Sequence, residues 1–157
     1  MTPEQMKEKA IDLYRRRFHC SQAVLAAGLE KIGAVNEDVI KAFGAFGGGI
    51  AGSGRACGAL TGSIGVIGRI LSRGKIEGTE DPGMSSVCRK FMTEFEKLTR
   101  QYGGTDCRDI AGVNWQDEEM VKAFREDPEG RRKICMELVG ATAFVLGSLL
   151  EAEGLAL

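Results

Sequence analysis

"GGGIAGSGRACGALTG" (residues 47–62) holds seven glycines, one arginine and one cysteine, and its context decides the fold. Its first six residues match G-x-G-x-x-G, which marks dinucleotide binding when it joins a strand to a helix inside a βαβ unit. The preceding "EDVIKAFGAF" (37–46) carries instead a helical stripe of Val39, Ile40 and Phe43, and no strand pattern follows. A Walker A loop also fails, because no Gly-Lys-Ser/Thr is present. The stretch therefore reads as a loop that leads into a helix over about 57–71.

Working outward, nearly every apolar pattern has helical period. Thr2, Pro3 and Gln5 form an N-terminal start signal, with Met6, Ala10, Leu13 and Tyr14 on one face. Further helices are predicted over about 21–32, from an Asn36 cap, over 84–102, over 117–126 and over 130–153. "TDCRDIAG" (105–112) reads as a loop with one helical turn. The stripe predicted for 84–102 is Met84, Cys88, Phe91, Phe95, Leu98 and Tyr102. The expected fold is all-α: a single domain over residues 1–157, a bundle of six or seven helices with a buried Gly-rich central helix. Inside that helix Gly58, Gly62, Gly65 and Gly68 each cost up to roughly 1 kcal/mol relative to alanine. Their shared face predicts the close approach of another helix or a bound group.

Composition narrows the function classes. With 21 Lys+Arg against 22 Asp+Glu, there is no overall field to attract nucleic acid or an anionic membrane. The basic runs "RRR" (15–17) and "RRK" (131–133) read as solvated helix ends. The uncharged runs 56–68 and 138–150 fall short of the roughly 18–20 residues that cross a bilayer and read as buried helices. The N-terminus carries no secretory pattern, so a cytoplasmic location is expected.

Five cysteines are many for 157 residues, and in a reducing compartment they point to metal binding or redox chemistry. No C-x-x-C pair occurs, so a shared site must be assembled by tertiary packing. Cys20, Cys57 and Cys107 fall at predicted helix starts, where the helix dipole favours a thiolate. Cys135 lies early in the last helix. Cys57, among small residues, is the best candidate for a reactive cysteine, and Cys88 reads as a buried core residue. His19, beside Cys20, reads as a cap or surface residue, with a ligand or proton-donor role as the alternative.

"CGALTG" (57–62), together with "FHCSQAV" upstream, "GGGIAGSGR" ahead of it, "CRDIAG" downstream and a cysteine in the last helix, resembles the C_GCAxxG_C_C family of redox-active proteins. The family core is written G-C-A-x-x-G, whereas here the order is Cys57, Gly58, Ala59. The resemblance implies that Cys20, Cys57, Cys107 and Cys135 are the family's four cysteines, in a redox role found mostly in anaerobic microbes. It also implies kinship with a domain of split-Soret-type cytochromes c, which are dimeric electron carriers with an iron–sulfur centre. Covalent haem does not carry over, because C-x-x-C-H is absent.

Three functions follow as expectations. The first is electron transfer to a redox partner through an iron–sulfur or other thiolate–metal site. Its ligands would be Cys20, Cys57, Cys107 and Cys135, with Gly54, Gly58 and Gly62 giving room and amide donors. The second is a metal-free thiol–disulfide oxidoreductase in which Cys57 attacks. The third is a helical interaction protein with inert buried cysteines. Nucleic acid and membrane are not expected as partners, while a homodimer fits the related cytochromes.

Overall fold

Thr2 starts the first helix through the anticipated capping box: Gln5 N–H donates to Thr2 Oγ1 at 3.2 Å, and Thr2 N–H donates to Gln5 Oε1 at 2.8 Å. The computed structural model describes residues 1–156; Leu157, the last residue of the expected domain, lies outside them. The described residues form α1 (Pro3–Arg15), α2 (Cys20–Lys31), α3 (Glu37–Ala42), α4 (Gly58–Leu71), α5 (Met84–Thr99), α6 (Cys107–Ile110), α7 (Glu118–Glu126) and α8 (Arg131–Ala152), with 3-10 turns over Phe43–Phe46 and Arg100–Tyr102. No strand is present among them. The helices number eight rather than six or seven because the turn expected in 105–112 closes with its own Asp106 cap.

Two long pairings organise the bundle. Helix α1 lies along α8, and α2 lies along α4; α2 also touches α1 and α8, while α5 covers α4 and α8. The most enclosed helix is α2, with nine of its twelve residues buried. Gly-rich α4 is buried along its inner face, so the centre belongs to α2 and α4 together. Beneath them lies one apolar cluster that includes Leu25, Leu29, Ile67, Phe91, Phe95 and Leu146.

The glycines of α4 explain how close that pairing is. A Cβ at Gly62 would overlap the carbonyl oxygen of Ser21 on α2. One at Gly58 would stand 2.8 Å from Ser21 N, and one at Gly65 would stand 2.5 Å from the Phe43 ring. Gly68 differs: nothing lies within 4 Å of its missing Cβ. Three of the four glycines thus have the close neighbour that their spacing predicts. Ser21 Oγ donates to Phe43 O at 2.7 Å and Gln22 Nε2 to Ile40 O at 3.2 Å, which ties the start of α2 to the segment entering the glycine loop.

Other expectations need correction. The buried stripe of α5 is Val87, Phe91, Phe95 and Thr99. It is rotated from the predicted one, so Cys88 is half-buried rather than a core residue. Arg131 and Arg132 are not merely solvated: Arg131 donates to Ile110 O at 3.3 Å, and Arg132 lies over the Tyr14 ring, 5.1 Å from its centroid. Helix α8, at 22 residues, is apolar and long enough to cross a membrane, but half of its apolar window is buried against the other helices.

Gly62→Ala should destabilise the fold by about 2 kcal/mol, because backbone on both sides must shift. Gly68→Ala should stabilise it by up to about 1 kcal/mol. Urea denaturation midpoints of the two variants test this, and equal effects would refute the packing argument.

Candidate functional site

The α2–α4 contact brings the first two cysteines together. Cys20 is the first residue of α2 and Cys57 is the N-cap of α4; the Cys20 Cβ is 3.1 Å from where a Gly58 side chain would begin. A short antiparallel pairing then delivers the third. Cys57 N–H donates to Thr105 O, Cys107 N–H to Arg55 O at 2.7 Å, and Arg108 N–H to Gly54 O at 3.0 Å, around an isolated Ala56–Asp106 bridge. The fourth, Cys135, sits on the second turn of α8, which is held in place by α1. All four line one cavity of about 630 Å³, and Cys88 does not. Every cysteine is a free thiol.

The glycine loop forms another wall. Gly48, Gly49, Ile50, Ala51 and Gly52 all have positive φ, from 52° to 72°, so the chain makes a short left-handed turn that glycine adopts freely. It is closed by Ile50 N–H to Phe46 O at 3.1 Å, Ala51 N–H to Ala45 O at 2.9 Å and Gly54 N–H to Gly48 O at 2.9 Å. At Gly49 a side chain is excluded twice over: by the φ of 72°, and by Arg55 O and Cys107 Cβ, 2.5 and 2.6 Å from a Cβ. The N–H groups of Gly48 and Gly49 have no hydrogen-bond partner among the described residues.

Burial dominates the electrostatics. Cys57 is 6% exposed, and loss of solvent pushes its thiol up to about 12. No amide completes a capping bond to its sulfur; the N–H groups of Ala59 and Leu60 oppose the rise without cancelling it. Cys20 and Cys135 are also raised, first by burial and then by neighbouring cysteines of the same cavity. Cys107 is raised by burial and partly relieved by Trp115, whose Nε1–H donates to its sulfur at 3.3 Å. At each of the four, burial favours the protonated thiol over the thiolate. The helix-terminus effect expected to favour thiolates is the weaker one.

The site thus contains all four cysteines that the family resemblance implied. Of the three glycines expected beside them, Gly58 lines the cavity, while Gly62 is covered by Ser21 and Gly54 belongs to the pairing with Arg108. His19 is the N-cap of α2; its N–H donates to Gln22 Oε1 at 3.3 Å, and its ring fills the space a Gly47 side chain would need. Tyr14, Arg17, Trp115 and Arg132 also line the cavity and are not among the site residues expected from the sequence. A signal was available for two of them: Tyr14 ends the apolar stripe of α1, and Arg132 precedes Cys135 by one helical turn.

Among the described residues, no three of His, Cys, Asp and Glu converge closely enough to hold a single metal ion. An iron–sulfur cluster spaces its ligands more widely, because irons and sulfides stand between the thiolates. A donor set of four thiols around one roomy cavity fits that group better than a mononuclear site.

The family model described as "Putative redox-active protein (C_GCAxxG_C_C)" matches residues 18–149. An uncharacterised protein of Archaeoglobus fulgidus is 31% identical over 157 residues, covering 96% of this chain and 97% of that protein. No solved structure matches the chain significantly.

The left-handed turn generates a direct test. Ala51 is exposed and has a φ of 52°, so Ala51→Gly should stabilise the protein by about 1 kcal/mol. An unchanged or lowered denaturation midpoint would contradict the strained geometry.

Proposed function

The chain belongs to the C_GCAxxG_C_C family of redox-active proteins, and from that premise we propose that it transfers electrons through an iron–sulfur cluster held by Cys20, Cys57, Cys107 and Cys135. One observation carries the reading: three thiols from separate helices and a fourth from the N-cap of α4 line one cavity, and the fifth cysteine lies outside it. When bound, the cluster supplies a centre that accepts and returns an electron.

The chain's own groups have defined parts. The buried thiols resist ionising alone, and a bound cation relieves both their desolvation and their mutual repulsion. Trp115 Nε1–H already donates to Cys107 Sγ, and the unpartnered amides of Gly48 and Gly49 are donors for further sulfur acceptors. Such bonds withdraw charge from sulfur and raise a cluster's potential. At Gly48 and Gly49 the left-handed turn keeps this wall free of side chains.

The metal-free alternative, with Cys57 as attacking thiol, draws less support. Its thiol is buried, and loss of solvent pushes it up to about 12, whereas an attacking thiol works best with a pKa near ambient pH.

Protein purified without oxygen should be brown and contain iron. Serine at any one of the four cavity cysteines should lower iron affinity by about tenfold or more, and Cys88→Ser should leave it unchanged. Iron content and visible absorption check this. Colourless, iron-free protein after anaerobic reconstitution would overturn the proposal; reversible oxidation of two cavity thiols would then favour the disulfide reading.

A further inference from the structure

The cavity has a charge pattern that four cysteines do not require. Its wall includes Arg17, Arg125 and Arg132, together with His19, and among the described residues no aspartate or glutamate. Arg17, Trp115 and Arg125 also line an adjoining surface groove that holds Glu118 and Glu126, yet neither glutamate forms an ion pair with Arg17 or Arg125 among the described residues. Beside these cations the wall is aromatic: Trp115 meets Phe124 edge to face, with ring centroids 5.2 Å apart.

Arg17 adds a separate observation. It ends α1 with Phe18 N–H donating to Leu13 O at 3.1 Å, Arg17 N–H donating to Tyr14 O at 3.0 Å, and a φ of 78°. This is the position just after the C-cap, Arg16, which is normally given to glycine, and arginine there is strained. Strain kept at a position whose side chain borders a cavity points to a task for that side chain.

We propose that the cavity binds a small organic carboxylate, its head group on Arg17 and Arg125 and its apolar body against Trp115 and Phe124. Arg132, fixed over Tyr14, adds positive charge to the same wall. Two cations attract the carboxylate and the aromatic pair rewards burial of carbon, a combination that an inorganic oxyanion would leave half used. The site adjoins the four cysteines and does not depend on metal being bound there.

The test uses anaerobically purified protein, with iron measured in every sample. Phenylacetate and its neutral isostere phenylacetamide are titrated by calorimetry and by fluorescence of Trp115, the chain's one tryptophan. Phenylacetate should bind about tenfold or more tighter than phenylacetamide. Arg125→Gln and Arg17→Gly should each weaken phenylacetate binding by about tenfold with iron unchanged. Arg17→Gly should also melt at a higher temperature, because glycine accepts the positive φ. Absence of phenylacetate binding, equal affinity for the two probes, or loss of iron in parallel with loss of binding would overturn the proposal. The last result would mean that the arginines merely balance thiolate charge. The expected contrast found in iron-free protein would support the carboxylate site while counting against the cluster.

Discussion

The contact on which the rest depends is backbone against backbone, where Gly58 and Gly62 of α4 rest on the first turn of α2 at Ser21. With no side chain between them, the two helix starts lie side by side, and Cys20 and Cys57 share a wall. Glycine weakens a helix interior, so this arrangement needs compensation. The apolar side chains that the approach buries, among them Val24, Leu25, Val66 and Ile67, provide it. Ser21 and Gln22 then fix the segment ahead of the glycine loop, so the same contact also places the loop.

Strain gathers around the cavity. Among the described residues, the non-glycine positions with positive φ are Arg17, Ile50 and Ala51. Arg17 and Ala51 line the cavity, and Ile50 lies between Ala51 and the lining glycines. A fold selected for stability alone would place glycine at such positions. The neighbouring 54–57 and 105–108 segments hold the turn rigidly, which leaves Gly48 and Gly49 amides in the wall without internal partners. Burial works in the same direction, since it raises the thiols and makes them poor reagents by themselves. The combination suits a site that is completed by something entering it.

Legibility of the fold differed by element. Helix α1 could be read almost to the residue, because its capping box is local and its stripe is set by its own spacing. In α5 the stripe was rotated: Met84, Cys88, Leu98 and Tyr102 are as apolar as the buried set, and only the position of α4 and α8 selects Val87 and Thr99 for the interior. Helix α2 has no polar face to orient it, so its central place could not be found from period alone. Arg131 and Arg132 looked like a charge run, and their contacts lie on α6 and α1, distant in sequence.

The sequence by itself determined the all-helical class, the loss of the nucleotide-binding reading, and the separation of four cysteines from the fifth. Each follows from local information: helical period, the helix ahead of the glycines, and motif resemblance. Only the tertiary structure decided that the four cysteines line one cavity. The gaps between them span 37, 50 and 28 residues, and it is the α2–α4 crossing, the pairing of 54–57 with 105–108 and the docking of α8 on α1 that close those distances. It also decided that the thiols are raised rather than lowered. A helix terminus can be seen in sequence, whereas the desolvation that outweighs it exists only once the chain has packed.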